Sequence, residues 1–191
     1  MQNTDEFNSR IAGKYIEQLD NRDSPHSKTI VTFCGVPGSG KTTLAEKLTA
    51  DLNAQYVHND SMRRIIESEG GSPEQYKMAP IGSLVLKTIL QTDANKCIVL
   101  DASIDRSWKG FLSDAKAYGV PSPVIIRLNP SYETLKQRQL ARDGRVNANF
   151  DTLVDQFELC KAELKDDIEI GDEYDYSVVL KQVQLLVNKR G

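Results

Sequence analysis

Cysteine is scarce in this chain: Cys34, Cys97 and Cys160 are the only three among 191 residues. Their odd number and wide spacing argue against a disulfide framework. Two of them sit in apolar runs, so buried thiols in a reducing cytoplasm are expected. Long hydrophobic runs are missing as well. No stretch approaches ~18 consecutive apolar residues, so no membrane span is predicted. The opening Met1-Gln2-Asn3-Thr4-Asp5-Glu6 brings acids early and no apolar segment, unlike a signal peptide. Glycine and proline, at 12 and 7, are too few for a collagen-like or low-complexity chain. No charge sign dominates: 24 basic and 27 acidic residues leave a net charge of −3. That balance lacks the excess of cations that a non-specific grip on long nucleic acid needs.

The composition present is that of a globular chain, 39% hydrophobic and 27% charged. A chain of this length is expected to form one domain and to bury about 70% of its unfolded surface. Its charges are unevenly spread. Between Ser131 and Asn147 lie Lys136, Arg138, Arg142 and Arg145 against Glu133 and Asp143; between Asp151 and Asp175 ten acids face two lysines. An arginine cluster beside an acidic helix reads as a site next to a solvated face.

Helical spacing of Phe7, Ile11, Tyr15, Ile16 and Leu19 predicts an amphipathic helix over 5–19, followed by a loop over 21–27. Thr29-Ile30-Val31-Thr32-Phe33-Cys34 predicts the clearest strand. Further strands are expected at 55–58, 97–101 and 124–128, with a weaker one at 176–180. Helices are expected over 41–52, over 61–68 with Asp60 as N-cap, around Leu84–Leu90, over 107–118, 131–142 and 149–164, and at the C-terminus. Strands alternating with helices, their apolar runs continuous, predict an α/β fold with a parallel sheet covered on both faces. In such sheets the ligand site lies beyond the carboxyl ends of the strands.

Gly35-Val36-Pro37-Gly38-Ser39-Gly40-Lys41-Thr42 fits G-x-x-x-x-G-K-[ST] between a predicted strand and a predicted helix. Glycines there let successive N–H groups converge on phosphate oxygens, and the helix adds its positive end. Lys41 is expected to reach the β- and γ-phosphates of a nucleoside triphosphate and the Thr42 hydroxyl to bind Mg²⁺. A guanine-reading Asn-Lys-x-Asp is absent: Asn95-Lys96 precedes Cys97-Ile98, and Asn188-Lys189 precedes Arg190-Gly191. Asp101 is followed by Ala102-Ser103, without the glutamate that orients water in hydrolytic ATPases. Both absences point to transfer onto a substrate. Asp60, nineteen residues after Lys41, falls at the end of the second strand, and Arg63 lies three residues on. A carboxylate there can accept the proton of an attacking hydroxyl while Arg63 holds a negative group on the acceptor. The plainer alternative makes Asp60 a helix cap and Arg63 a solvated side chain.

The chain thus resembles a small P-loop kinase of the group that includes polynucleotide 5′-hydroxyl kinases, zeta toxins and chloramphenicol phosphotransferase. Three features carry the likeness: Gly-Val-Pro-Gly-Ser-Gly-Lys-Thr-Thr at 35–43, Asp-x-x-Arg at 60–63 and Leu-Asp-Ala-Ser at 100–103, within about 29–180. The resemblance implies a P-loop NTPase fold whose five parallel strands run 2-3-1-4-5, with a helical lid. It implies ATP and Mg²⁺ as ligands, a phosphate cradle of Gly35, Val36, Pro37, Gly38, Ser39, Gly40, Lys41, Thr42 and Thr43, and Asp60 acting on the acceptor hydroxyl beside Arg63. It also implies that Asp101 approaches the metal through water, near Thr42. Arg138 and Arg142, four apart on one helix face, match the arginines of a lid over about 131–147, with Arg145 as a possible third; a solvated basic face is the alternative.

The remaining candidates are weaker. Arg127, inside a strand, is expected at the rim or snorkelling, and Arg106 is an outside candidate for the acceptor pocket. His26, His58, Cys34 and Cys97 lack metal-ligand spacing and read as loop or core residues, and Trp108 and Phe111 as helix–sheet packing. The expectation is therefore an N-terminal helix and loop (1–28) appended to a kinase domain (29–191). That domain moves the γ-phosphate of ATP to a hydroxyl of a small molecule or of a nucleotide or polynucleotide 5′ end. It needs no membrane and no extended nucleic-acid surface. A slow nucleotide-binding regulatory module and a toxin-like kinase are the alternatives.

Overall fold

The computed structural model describes residues 4–20, 25–26, 28–92 and 96–190. β1 (Thr29–Cys34) is β-branched and aromatic, and all six of its residues are buried, as a central strand covered on both faces requires. Parallel partners β3 (Cys97–Ser103) and β4 (Val124–Leu128) flank it. β2 (Gln55–His58) and β5 (Ile168–Ile170) form the edges, so the five strands run β2-β3-β1-β4-β5, the order expected. The register sets His58 opposite Asp101. A shift between Thr32 and Phe33 carries β3 two residues past the acid at which it was expected to stop, to Ser103.

Alternate strand residues feed two layers. On one face α2 (Lys41–Asp51) and α8 (Tyr176–Arg190) pack Leu44, Leu48, Val179, Val183 and Val187 against Val31, Phe33, Val99 and Ile126. On the other, α1 (Asp5–Glu17), α3 (Asn59–Ser68) and α4 (Met78–Thr92) cover Ile30, Val57, Ile98 and Leu100. Beside them α5 (Trp108–Ala117), α6 (Tyr132–Asp143) and α7 (Phe150–Glu163) enclose Cys34 and Ile125. Trp108 and Phe111 do pack there, as expected.

Two readings are corrected. The strand expected at 176–180 is the first turn of α8: Val179, Val183 and Val187 recur every four residues and bury one helical face. The fifth strand is instead Ile168-Glu169-Ile170, too short to stand out within an acidic stretch and held by its pairing with β4. Asp60 does not cap α3. The helix starts at Asn59 with His58 in the cap position and no side-chain cap bond, which puts Asp60 in the first turn. The loop expected over 21–27 falls mostly on 21–24 and 27, outside the described residues.

α1 packs on α3 and α4. Thr4 caps it by accepting the Phe7 N–H at 3.2 Å, and Asp5 and Glu6 suit its positive end. Its inner residues Ile11, Ala12 and Tyr15 are buried among Ile66, Ile81 and Val85. Lys14 pairs with Glu69, and the Phe7 ring stacks on Tyr76 at 4.1 Å. Ile11→Ala is expected to cost about 2–5 kcal/mol in chemical denaturation, as other fully buried aliphatic truncations do. A loss below about 1 kcal/mol would make α1 a loosely held attachment.

Candidate active site

Residues 35–40 turn from β1 into α2. At Gly35, with φ +150°, a Cβ would stand 2.8 Å from the Leu128 carbonyl oxygen, so backbone packing bars any side chain. Gly40 caps α2 in the left-handed region at φ +98° and offers no side chain, leaving the first N–H groups of the helix open. Open N–H groups and the positive helix end make a cradle for an anion. Lys41 reaches back over the loop, its Nζ donating to the Gly35 carbonyl at 2.6 Å, the Val36 carbonyl at 3.0 Å and Ser39 Oγ at 3.2 Å. Burial lowers the Lys41 ammonium to about 8, against the opposing pull of the Asp105 and Asp101 charges. Thr42 and Thr43 are exposed in the first turn of α2.

A second cluster stands at the ends of β2 and β3. Asp101 is 5% exposed and accepts the Tyr56 hydroxyl at 2.8 Å. His58 Nε2 lies between the two acids, 3.4 Å from Asp101 and 3.5 Å from the exposed carboxylate of Asp60. Arg63 Nε is 3.5 Å from Asp60 on the other side. The His58 N–H donates to the Tyr15 hydroxyl at 2.8 Å, which ties α1 to the strand end. Burial raises the Tyr15 hydroxyl above its ordinary value; burial, then the Asp101 hydrogen bond, does the same to Tyr56. Thr42 and Asp101 both offer hard oxygens at this rim, the donor chemistry that Mg²⁺ takes.

α6 is seated on the loop. Gln139, 1% exposed, donates through Nε2 to the Pro37 carbonyl at 2.9 Å and accepts the Asn147 N–H through Oε1 at 2.9 Å. Arg138 donates to the Ser39 carbonyl at 3.4 Å. Arg142 is exposed and holds its neighbour Asp143 through two hydrogen bonds, of 2.8 and 2.7 Å. That bond raises the Arg142 guanidinium, and the charge of Asp60 adds to it. Arg145 is also exposed.

The fold thus gathers residues 35–43, Asp60, Arg63, Asp101, Arg138 and Arg142 at the carboxyl rim. It also supplies partners not expected from the sequence. Asp105 accepts the Gly35 N–H on both oxygens at 3.2 Å, and Ser103 Oγ lies 2.5 Å from it. His58, expected in loop or core, stands between two carboxylates; the register opposite Asp101 was the available signal. Arg127 does not snorkel, although the register sets it opposite Cys34 at the carboxyl end of β1. It is buried, 2.6 Å from Asp166 and donating to the Leu164 carbonyl at 2.6 Å, with its Nε left without a hydrogen-bond partner. Arg106 lines a cavity beside α7.

Among the described residues no helix is long and apolar enough to cross a membrane. A family profile described as an AAA domain matches residues 30–166. No curated protein matches the chain. Solved structures do. The tunicamycin resistance protein of Deinococcus radiodurans superposes with a TM-score of 0.59 at 22% identity, covering 84% of this chain and 95% of that one. The APS kinase of Mycobacterium tuberculosis, solved with AMPPNP and APS, gives 0.56 at 16% identity, with 85% and 98% covered. A gluconokinase of Sinorhizobium meliloti gives 0.55 at 16% identity, with 88% and 97% covered. At these identities the likeness is one of fold, the P-loop kinase architecture.

Proposed function

The chain belongs to the AAA-domain family, and from that membership we propose that it is an ATP-dependent phosphotransferase acting on a hydroxyl of a small molecule. The observation that carries this reading is the row Asp60–His58–Asp101, linked at 3.5 and 3.4 Å, at the same sheet rim as the Lys41 loop. A loop alone serves any nucleotide protein. A second, solvent-facing carboxylate beside it suits transfer to an incoming hydroxyl. A small acceptor is supported by the net charge of −3 and by neighbours named gluconokinase and APS kinase.

In this reading residues 29–191 form the kinase domain and 131–147 its lid. Lys41 exchanges its loop carbonyls for β- and γ-phosphate oxygens, which open N–H groups of the loop and of the first turn of α2 also meet. Mg²⁺, held by Thr42 and through water by Asp101, would neutralise developing charge on the phosphates. The acceptor oxygen bonds to the γ-phosphorus, the bond from phosphorus to the bridging oxygen breaks, and ADP leaves with that electron pair. The hydroxyl proton passes to Asp60, which His58 orients and Arg63 flanks on the acceptor side. Arg142 leaves Asp143, and with Arg138 offsets charge on the moving group.

The test is transfer from γ-labelled ATP with Mg²⁺ to two pools, small hydroxyl metabolites and antibiotics in one, 5′-hydroxyl oligonucleotides in the other. Label in the first pool is the expected result. Label only on oligonucleotides would make it a polynucleotide kinase of the group that the sequence resembles. Tight ATP binding with label in neither would favour a regulatory nucleotide-binding module.

The depressed Lys41 also sets a pH dependence. A triphosphate favours the protonated ammonium, so above about 8 binding must take up a proton. ATP affinity is therefore expected to be flat below that pH and to fall by up to about tenfold per unit above it. Calorimetry in two buffers of different ionisation heat checks the uptake; affinity level to pH 9.5 would show Lys41 protonated throughout.

A further inference from the structure

We propose that Cys34, Cys160 and Asp105 form a site for a thiophilic divalent cation of the zinc type, set behind the phosphate-binding loop. Among the described residues, the two Sγ atoms and a carboxylate oxygen of Asp105 all lie within 4.8 Å of one another. Around a tetrahedral ion with Zn–S bonds of about 2.3 Å, two sulfurs stand about 3.8 Å apart, so the cluster closes on an ion by shifts of about 1 Å or less. The three donors come from the last residue of β1, the loop after β3 and the last turn of α7, so only the fold unites them. Both cysteines are buried, at 0% and 2% exposure, and both are free thiols.

The cluster is reachable. A cavity of about 320 Å³ opens on it, lined by Asp105 and Cys160 with Arg106, Trp108, Gln156 and Glu163. Gln156 Oε1 is buried there without a hydrogen-bond partner. It is the available fourth donor, directly or through a water in the cavity. Asp105 keeps lone pairs for an ion while accepting the Gly35 N–H and the Ser103 hydroxyl, since a carboxylate offers about four acceptor positions. Two thiolates select a soft or borderline ion over Mg²⁺, so this site is separate in chemistry from Thr42 and Asp101. On coordination each thiol gives its proton to solvent. A bound ion then fastens α7, which follows the lid, to the root of the phosphate loop.

The test uses Co²⁺ as the probe on the reduced full chain. One Co²⁺ per chain is expected, with thiolate-to-cobalt charge-transfer bands, tetrahedral d–d absorption and displacement by Zn²⁺. Cys160→Ser should halve the charge-transfer intensity and weaken binding by at least about 100-fold, because even outer-shell changes cost 10–100-fold. Cys97→Ser is the control, its thiol lying on the opposite sheet face, and should bind as wild type. Zn²⁺ should raise the unfolding midpoint of the wild type and not of Cys160→Ser. No charge transfer at one equivalent of Co²⁺, or bands of undiminished intensity and affinity in Cys160→Ser, would overturn the site. Should that variant not fold, X-ray absorption of the wild type with Zn²⁺ decides: two sulfur scatterers support the site, and none overturns it.

Discussion

Asp60→Asn is expected to bind ATP as the wild type does and to transfer its phosphate about 10²–10⁴-fold more slowly, the range that a positioned general base contributes. Among the described residues the carboxylate's ion-pair partners are Arg63 and His58, at 3.5 Å each, neither of them in the phosphate loop. An amide keeps the size and one acceptor oxygen, yet it cannot take a proton from the acceptor hydroxyl. The loss should therefore appear in kcat, with nucleotide affinity and the unfolding midpoint preserved. Wild-type kcat on the acceptor found in the pool experiment would remove the base assignment. A change confined to KM would make Asp60 an acceptor-binding group instead.

Lys41→Ala is expected to lower kcat/KM by at least about 10²–10³-fold, as the loss of one preorganised charge-stabilising donor does, and to weaken ATP as well. Here the fold should survive. The ammonium is desolvated, which is why it is depressed to about 8, so its removal relieves a burial cost while freeing the Gly35 and Val36 carbonyls. Those two effects oppose one another, and the thermal midpoint should move little. A collapse of the midpoint together with activity would assign Lys41 to holding the loop shut. Lys41→Arg should not rescue transfer, because a planar fork does not replace a compact ammonium between two carbonyls and a serine.

The arginines of α6 show how far helical spacing reaches. Four residues apart, Arg138 and Arg142 share a face of α6 as expected. Spacing did not reveal that Arg142 is engaged with Asp143, nor that Gln139 between them joins α6 to Pro37. The β-branched start of α8 misled for a related reason. Local propensity cannot tell a half-buried strand from a helix whose valines recur every four residues, because the difference lies in what covers them.

What the sequence determined by itself was whatever is contiguous. The strand–glycine loop–helix of 29–51 is encoded within 23 consecutive residues, and the alternation of apolar runs with helical periods leads to a parallel sheet with its site at the carboxyl rim. The tertiary structure alone decided which distant residues share that rim. His58 reaches Asp101 across 43 positions through a β2–β3 register. Asp105 finds Gly35 because β3 lies beside β1, and Tyr15 finds His58 because α1 packs on α3 and α4 next to the end of β2. Each contact is set by strand order and by which face a helix covers, and hydrogen bonding between strands carries no mark of its partner in either segment.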